Sequence, residues 1–513
     1  MTIGDEGCDD ENNNSACGYD GGDCCECSCS SSRCEGRPFA CLDPSADLEI
    51  YECGTPPPPT LPCPADVQRT WIVENATEAQ ALAEAVSCSG GTFDVEWRGT
   101  VAPDYFYAPI YVRDGTVLTV SGDGSSAVID GNERVRLFTV VNATLHLSGV
   151  NITSGNSVAG GAIATAGSTL TLDRVNFIGN NAAGNGGALH VSDGSTVSCV
   201  GGGVFAYNTA DVHGGAMYVT GESVVSCGGS WLRNVAGFSA GALMVDGESS
   251  MSWSRDTAFR NNRAREYGGA VYANDGSTVS WNASTTVFYS NFGPDFEGGG
   301  GAVCAANGSS VSWSGATLFD SNFAFRDGGA LLIRSGSSVS WSGITTYVDN
   351  ALQWDGGQGG AVYVEGSSAA SWSANTTYLG NVASLSGGAL YASYSSVSWT
   401  GDTEFRDNSA GDGGAVCASG SSLSWSGNPT MVLNNAGSGG ALSASAGSSV
   451  FWSGGATRFA NNSATGTIVS SGGALSLVWS DVSWSGATEF VGNTATTSGG
   501  AIHIHQSCNV SWT

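Results

Sequence analysis

The stretch GGALYASYSSVSWTGDTEFRDNSAGD, residues 387–412, decides the fold. It opens on Gly387-Gly388-Ala389, reaches Trp399, then carries Phe405-x-x-Asn408, and the next Gly-Gly-Ala follows at Gly413. Thirteen such units begin at 160, 186, 214, 240, 268, 300, 328, 359, 387, 413, 439, 472 and 499, with Ala-Gly-Ala at 240. A near-constant period in this range marks a solenoid, whose units bury their apolar sides only by stacking on one another. After each glycine pair the chain alternates with period two, as in Ala361-Val362-Tyr363-Val364, which is a strand pattern. Ser-Val-Ser-Trp and Thr-x-Phe supply two more short strands, and Gly, Ser, Asn and Asp clusters supply the turns between them. No unit has a helical stripe. The expectation is an all-β protein, a right-handed parallel β-helix of about 13–15 coils with three strands per coil.

The pairing of Gly-Gly-Ala-Ile/Leu/Val with Phe-x-x-Asn resembles the repeat of the chlamydial polymorphic outer-membrane proteins. Eight units carry it, from Phe177-x-x-Asn180 through Phe288-x-x-Asn291 and Phe405-x-x-Asn408 to Phe490-x-x-Asn493, while Trp231, Tyr347, Tyr378 and Met431 replace the phenylalanine in four others. The likeness covers roughly residues 150–513. It implies a β-helical, surface-exposed adhesin. The tryptophan of each unit lies outside that family's pattern.

Those tryptophans form a column: 253, 281, 313, 341, 372, 399, 425, 452, 484 and 512. Earlier units hold Leu172, Cys199 and Cys227 in the same slot, all types that favour burial. The flanking slots hold serine. Tryptophan is therefore expected inside and serine outside, with the asparagines stacked as an internal turn ladder. Cys199 and Cys227 fall in one slot of adjacent coils, so they are either a disulfide or two buried thiols. Cys304 and Cys417 share a slot four coils apart and cannot pair.

Charge narrows the partners. Against 46 acidic residues stand 17 basic ones, all arginine, for a net charge of −29. That disfavours nucleic acid and anionic membranes and suits divalent cations. No apolar run approaches the length of a membrane span. Ten of the 16 cysteines precede residue 64, which is disulfide-framework usage. Nine Asn-x-Ser/Thr sequons (13, 75, 142, 151, 282, 307, 375, 461 and 509) also favour a secreted or cell-surface glycoprotein. Met1-Thr2-Ile3 leads straight into acidic residues and Trp512-Thr513 falls within a coil, so the chain reads as a piece of a longer protein.

Residues 1–53 form a cysteine-rich region. Within it, residues 5–25 (Cys8, Asn12-Asn13-Asn14, Cys17 and Asp20-Gly21-Gly22-Asp23-Cys24) resemble part of a Notch-type LNR module. That resemblance implies calcium held by Asp5, Asp20 and Asp23 and a Cys8–Cys24 disulfide. Two glycines between two aspartates also let a tight turn aim both carboxylates at one hard cation. A proline-rich linker is expected over 54–66, with Pro56 to Pro59 at its centre. A cap over 67–100 follows, with a short helix at 77–87 begun by Thr77-Glu78-Ala79-Gln80 as a capping box. The array proper is expected over 101–513.

Enzymes on pectin-lyase-like β-helices gather acidic and basic side chains on one strand face. The outward slot after each glycine pair runs from Ala164 and His190 through Tyr272, Cys304, Leu332 and Tyr363 to His503, with no carboxylate. His503 and His505 share a face without an acidic neighbour. Coil length, in contrast, varies at one place: the distance from the asparagine to the next unit ranges from 5 to 10. That corner carries Phe238, Tyr267, Phe296, Phe323, Phe325 and Trp354. Loops on one face of a solenoid are its usual recognition surface. The expected function is a non-catalytic binding or adhesion scaffold for glycans or surface proteins. The alternative is a polysaccharide lyase or glycoside hydrolase.

Overall fold

The computed structural model describes residues 68–88, 91–102, 109–124, 127–293, 298–353, 355–466 and 470–512. The cysteine-rich region, the proline-rich linker, Asp5, Asp20, Asp23, Cys8, Cys24, Phe296 and Trp354 lie outside them. The array is a parallel β-helix. The post-glycine strands form one 15-stranded parallel sheet and the phenylalanine strands another, so the described rod has 15 coils. The tryptophan strands form a third sheet of 17, because Thr70–Val73 and Thr92–Trp97 extend it across the cap. Register is strict: Trp313 pairs with Trp341, Phe288 with Phe319, and Leu331 with Val362.

Eleven of the 15 coils have a fourth strand where three are expected. A two-residue strand such as Phe323–Ala324 follows the ladder asparagine, and these strands build sheets of eight and three. One rung further on, isolated bridges link Tyr267, Gly299, Asp327 and Gln358. The pattern is too short to register as alternation, which is why the sequence conceals it.

The glycine pair has two separate reasons. Gly328 sits at φ +63°, a left-handed conformation that glycine alone adopts freely. Gly329 is not left-handed, yet a Cβ on it would lie 2.1 Å from the Gly360 carbonyl oxygen and 2.7 Å from that of Ala351. Backbone from two stretches nine residues apart thus meets one glycine, so the intervening segment leaves the coil and returns to the same place. Ala240, the exception to the motif, keeps the left-handed backbone at φ +63°.

The core is a set of ladders. Nine tryptophans from Trp253 to Trp484 are buried, with indoles stacked 4.3 Å apart at Trp253–Trp281 and 4.6 Å at Trp281–Trp313. Trp512, in the last described coil, stacks on Trp484 by one face and is 56% exposed. Phenylalanines and tyrosines form a second stack, edge-on to the first, as at Trp313–Phe319. The indole N–H groups from Trp253 through Trp452 are buried without a partner, at about 1–3 kcal/mol each. Burying an aromatic side chain of about 150–250 Å² returns roughly 4–6 kcal/mol, so the stack wins. Tyr347 and Tyr378 place their hydroxyls beside the indoles of Trp372 and Trp399, short of full hydrogen-bond alignment.

The asparagine ladder is fully satisfied. The backbone N–H and Nδ2 of Asn322 both donate to Asn350 Oδ1, at 3.0 and 3.1 Å. Nδ2 also donates to the Phe288 carbonyl at 2.9 Å. Asn322 Oδ1 accepts the same two bonds from Asn291. A second internal ladder escaped the sequence reading. The serine before most tryptophan strands is buried, and in six steps of the rod its Oγ accepts the N–H of its counterpart one coil earlier, as from Ser309 to Ser337 and Ser395 to Ser421. The Oγ of Ser277, Ser309 and Ser368 accepts no such bond. The ladder's signal is the serine four positions before each tryptophan from Trp253 to Trp484, with Cys508 in that place before Trp512.

Cys199 and Cys227 are disulfide-bonded, with Cα atoms 4.5 Å apart. Helix α1 spans Ala76–Cys88. Its N-cap is Asn75, two residues before the expected Thr77: Asn75 Oδ1 accepts the Glu78 N–H, and Glu78 reaches back to the Glu74 N–H. Asparagine caps as well as threonine, and the earlier start pairs it with a glutamate at the third position.

Candidate functional site

The out-and-back segments stack into a ridge along one edge of the rod, and the length variation falls on it. The four described corner aromatics do not form one stripe. Phe323 stands on the outer side of the ridge, its ring 5.3 Å from that of Phe292, and Arg263 lies over Phe292. Phe238 is 41% exposed and packs against His213, 6.1 Å away. Phe325 is half-buried. Tyr267 turns the other way, toward Tyr272 at 6.0 Å, with the Arg334 guanidinium over its ring.

Tyr267 points there because the ridge roofs the outer face of the post-glycine sheet. That outward slot therefore does not lie at the surface of the rod. Cys304, Leu332 and Tyr363 are buried with Ala306 in a small apolar cluster of their own, flanked by Tyr267, Tyr272 and Tyr391. Their side chains point away from the main core but are covered by the base of the ridge. Burial raises the Cys304 thiol and the Tyr272 and Tyr363 hydroxyls well above their ordinary values, so these groups stay neutral.

Carboxylates do reach this face, from positions beside the slot. Asp327 comes from the ridge base, and Arg326 lies 3.5 Å from it. Glu365 comes from the next outward position, 3.4 Å from Arg334, and accepts a hydrogen bond from Tyr363 Oη. These two acids thus face arginines, whereas Asp412, further along the same face, accepts a hydrogen bond from Ser443 Oγ. Among the described residues, no group of three or more His, Cys, Asp or Glu converges as a metal site. His503 and His505 stack with ring centres 6.2 Å apart.

Burial pushes Asp327 up to about 6, against the pull of Arg326, the Gln358 N–H and Arg334; Glu365 adds to the rise. A carboxyl that is harder to ionise when folded favours the folded state at low pH and opposes it once charged. Stability from this group is therefore complete below about pH 4 and lost as pH rises through about 6. His190, on the same face, acts in the opposite sense, since burial and Arg136 hold it down at about 4. Comparing wild type with Asp327→Asn cancels the histidine. The variant should be more stable at pH 7.5 by roughly 1–2 kcal/mol, with the difference shrinking toward pH 4 in urea titrations. Equal stability at pH 7.5 would show that the charge is not buried.

Three coils carry a known repeat. Residues 256–274, 402–419 and 487–505 match the Chlamydia polymorphic membrane protein (Chlamydia_PMP) repeat. Each match runs from the phenylalanine strand across the ridge to the next post-glycine strand. Comparison with curated proteins and with solved structures gives no match. No helix among the described residues is long and apolar enough to cross a membrane.

Proposed function

We propose that this protein is a cell-surface or secreted binding scaffold, a rigid rod that presents the ridge to glycans or surface proteins and performs no chemistry. The observation that carries the reading is the restriction of length variation to the ridge, while the rest of each coil keeps its register. A ladder core tolerates no insertion, whereas a loop that leaves and returns can lengthen freely and change what it touches. The polymorphic membrane protein repeat supports a surface location. Each loop offers a small contact, and several in a row add avidity through effective concentration. The N-terminal residues Asp5, Asp20 and Asp23 would add a calcium-held accessory module.

The test is adhesion of the full chain to cells and to a glycan array, with and without chelator, beside Phe238→Ser/Phe323→Ser and Asp20→Ala. The ridge variant should bind at least tenfold more weakly, and chelator should affect parent but not Asp20→Ala. Unchanged binding by the ridge variant removes the ridge from the reading. Turnover of a polysaccharide by the parent favours the enzyme alternative.

A further inference from the structure

A second edge of the rod, between the post-glycine and tryptophan sheets, changes character along its length. Every coil turns there through a left-handed residue. In five of the first seven coils that residue or its neighbour is acidic, at Asp114, Asp193, Glu222, Glu248 and Asp275, while Asn142 and Gly167 serve the other two. Four later coils make the same turn with Tyr394-Ser395, Gly420-Ser421, Ala446-Gly447-Ser448 and Trp479-Ser480, without one charged side chain. Tyr394 holds φ +48° and Trp479 φ +50°. Bulky residues avoid this backbone, and elsewhere on the edge glycine, alanine or a polar or acidic residue serves it.

Burial does not explain the exceptions. Tyr394 is 66% exposed and Trp479 is 56% exposed. The Tyr394 ring lies over the next coil at Gly420, where a Cβ would come within 2.6 Å of a ring carbon. Three rungs separate Tyr394 from Trp479, about 14 Å at the spacing of parallel strands. Between them the edge is glycine and alanine with serine behind. On the adjoining face of the tryptophan sheet, Phe451 is 46% exposed in a column that holds Ser424 and Ser483 on either side. Two exposed rings on left-handed backbone and a third on a serine column break the local rule, and such departures gather at functional sites.

We infer that this edge is a carbohydrate-binding platform, and that its ligand is an extended neutral polysaccharide lying along the rod across the Tyr394 and Trp479 rings. A pyranose has an apolar C–H face that stacks on an aromatic ring and a hydroxyl rim that suits serine hydroxyls. The uncharged turns favour a neutral chain, which the acidic remainder of the protein does not repel. The wide ring spacing selects several linked sugars over one. This edge is separate from the ridge, so ridge variants leave it intact and either assignment can fail alone.

The experiment is affinity electrophoresis of the full chain through gels containing laminarin, hydroxyethylcellulose or galactomannan, with alginate as the charged comparator. At least one neutral glycan should retard the parent, and binding should quench or shift the Trp479 fluorescence. Tyr394→Gly and Trp479→Gly should each weaken retention about tenfold, and Tyr394→Phe should keep it. Because glycine suits the left-handed turn, both glycine variants should melt at or above the parent temperature, so lost retention cannot be laid to misfolding. No retention in any neutral glycan, retention in alginate alone, or equal retention of the double glycine variant each overturns the assignment.

Discussion

Asn322→Leu should destabilise the middle of the rod by about 4 kcal/mol, although leucine fits the size of the site. The cost comes from what the change leaves behind. Asn322 Oδ1 accepts the backbone N–H and the Nδ2 of Asn291, and Asn322 Nδ2 covers the Phe288 carbonyl. Asn322 and its ladder neighbours are wholly buried, so the Asn291 N–H, the Phe288 carbonyl and one hydrogen of Asn291 Nδ2, whose other bond to the Phe259 carbonyl remains, would each lose this partner out of reach of water. At about 1–3 kcal/mol each they outweigh the gain from an added apolar side chain, about 2 kcal/mol. Asn435 is the control: it follows the ladder asparagine Asn434, is exposed, and should tolerate alanine within about 0.5 kcal/mol. Because solenoid stability is a sum of coil and interface contributions, the defect should remain local. Hydrogen exchange should speed up in the coils between 291 and 350 and leave the ends protected. A loss below 1 kcal/mol, or uniform exchange along the rod, would mean that the ladder is not what fixes the turn.

What the sequence makes legible is whatever recurs in register. Trp313, Phe319 and Asn322 return in coil after coil, and identical neighbours at parallel-strand spacing can only stack, so inside and outside could be assigned from spacing alone. The ridge was legible as variable length but not as shape. A two-residue strand such as Phe323–Ala324 has no period to read, and the return of the chain to Gly329 is a contact between backbones, which no side chain announces. For the same reason the cover over the outward slot leaves no trace in the sequence. Alternation shows that Cys304 and Leu332 point away from the main core, but not that Tyr267 and the backbone around Gly299 cover them. Asp327 and Glu365 reach that face from a bridge and from a neighbouring slot, so scanning one column for carboxylates missed both. The serine ladder was hidden by abundance: buried Ser309 and exposed Ser310 are adjacent and identical in type, and only the hydrogen bond to Ser337 separates their roles.

The second large effect concerns backbone contact directly. Gly329→Ala should cost about 3–4 kcal/mol, more than Gly336→Ala in the same coil. Conformation alone predicts the reverse order. Gly336 holds φ +73°, where alanine is strained by about 1–2 kcal/mol, whereas Gly329 is not left-handed and alanine there should gain a little by restricting the unfolded chain. Space reverses that order. Nothing lies within 4 Å of a Cβ built on Gly336, while one on Gly329 meets the Gly360 carbonyl oxygen at 2.1 Å and the Ala351 nitrogen at 2.9 Å. Neither neighbour can rotate away, because both are backbone, and both are tied into ladders: the Gly329 N–H bonds to the Gly359 carbonyl and the Ala351 N–H to that of Asn322. Relief therefore has to come from prising adjacent coils apart at the root of the ridge, where the loop leaves and returns. Urea unfolding of the two variants decides between conformation and contact. If Gly336→Ala proves the more damaging, the glycine pair is a turn signal only, and the close approach that roots the ridge is not what preserves the second glycine in each coil.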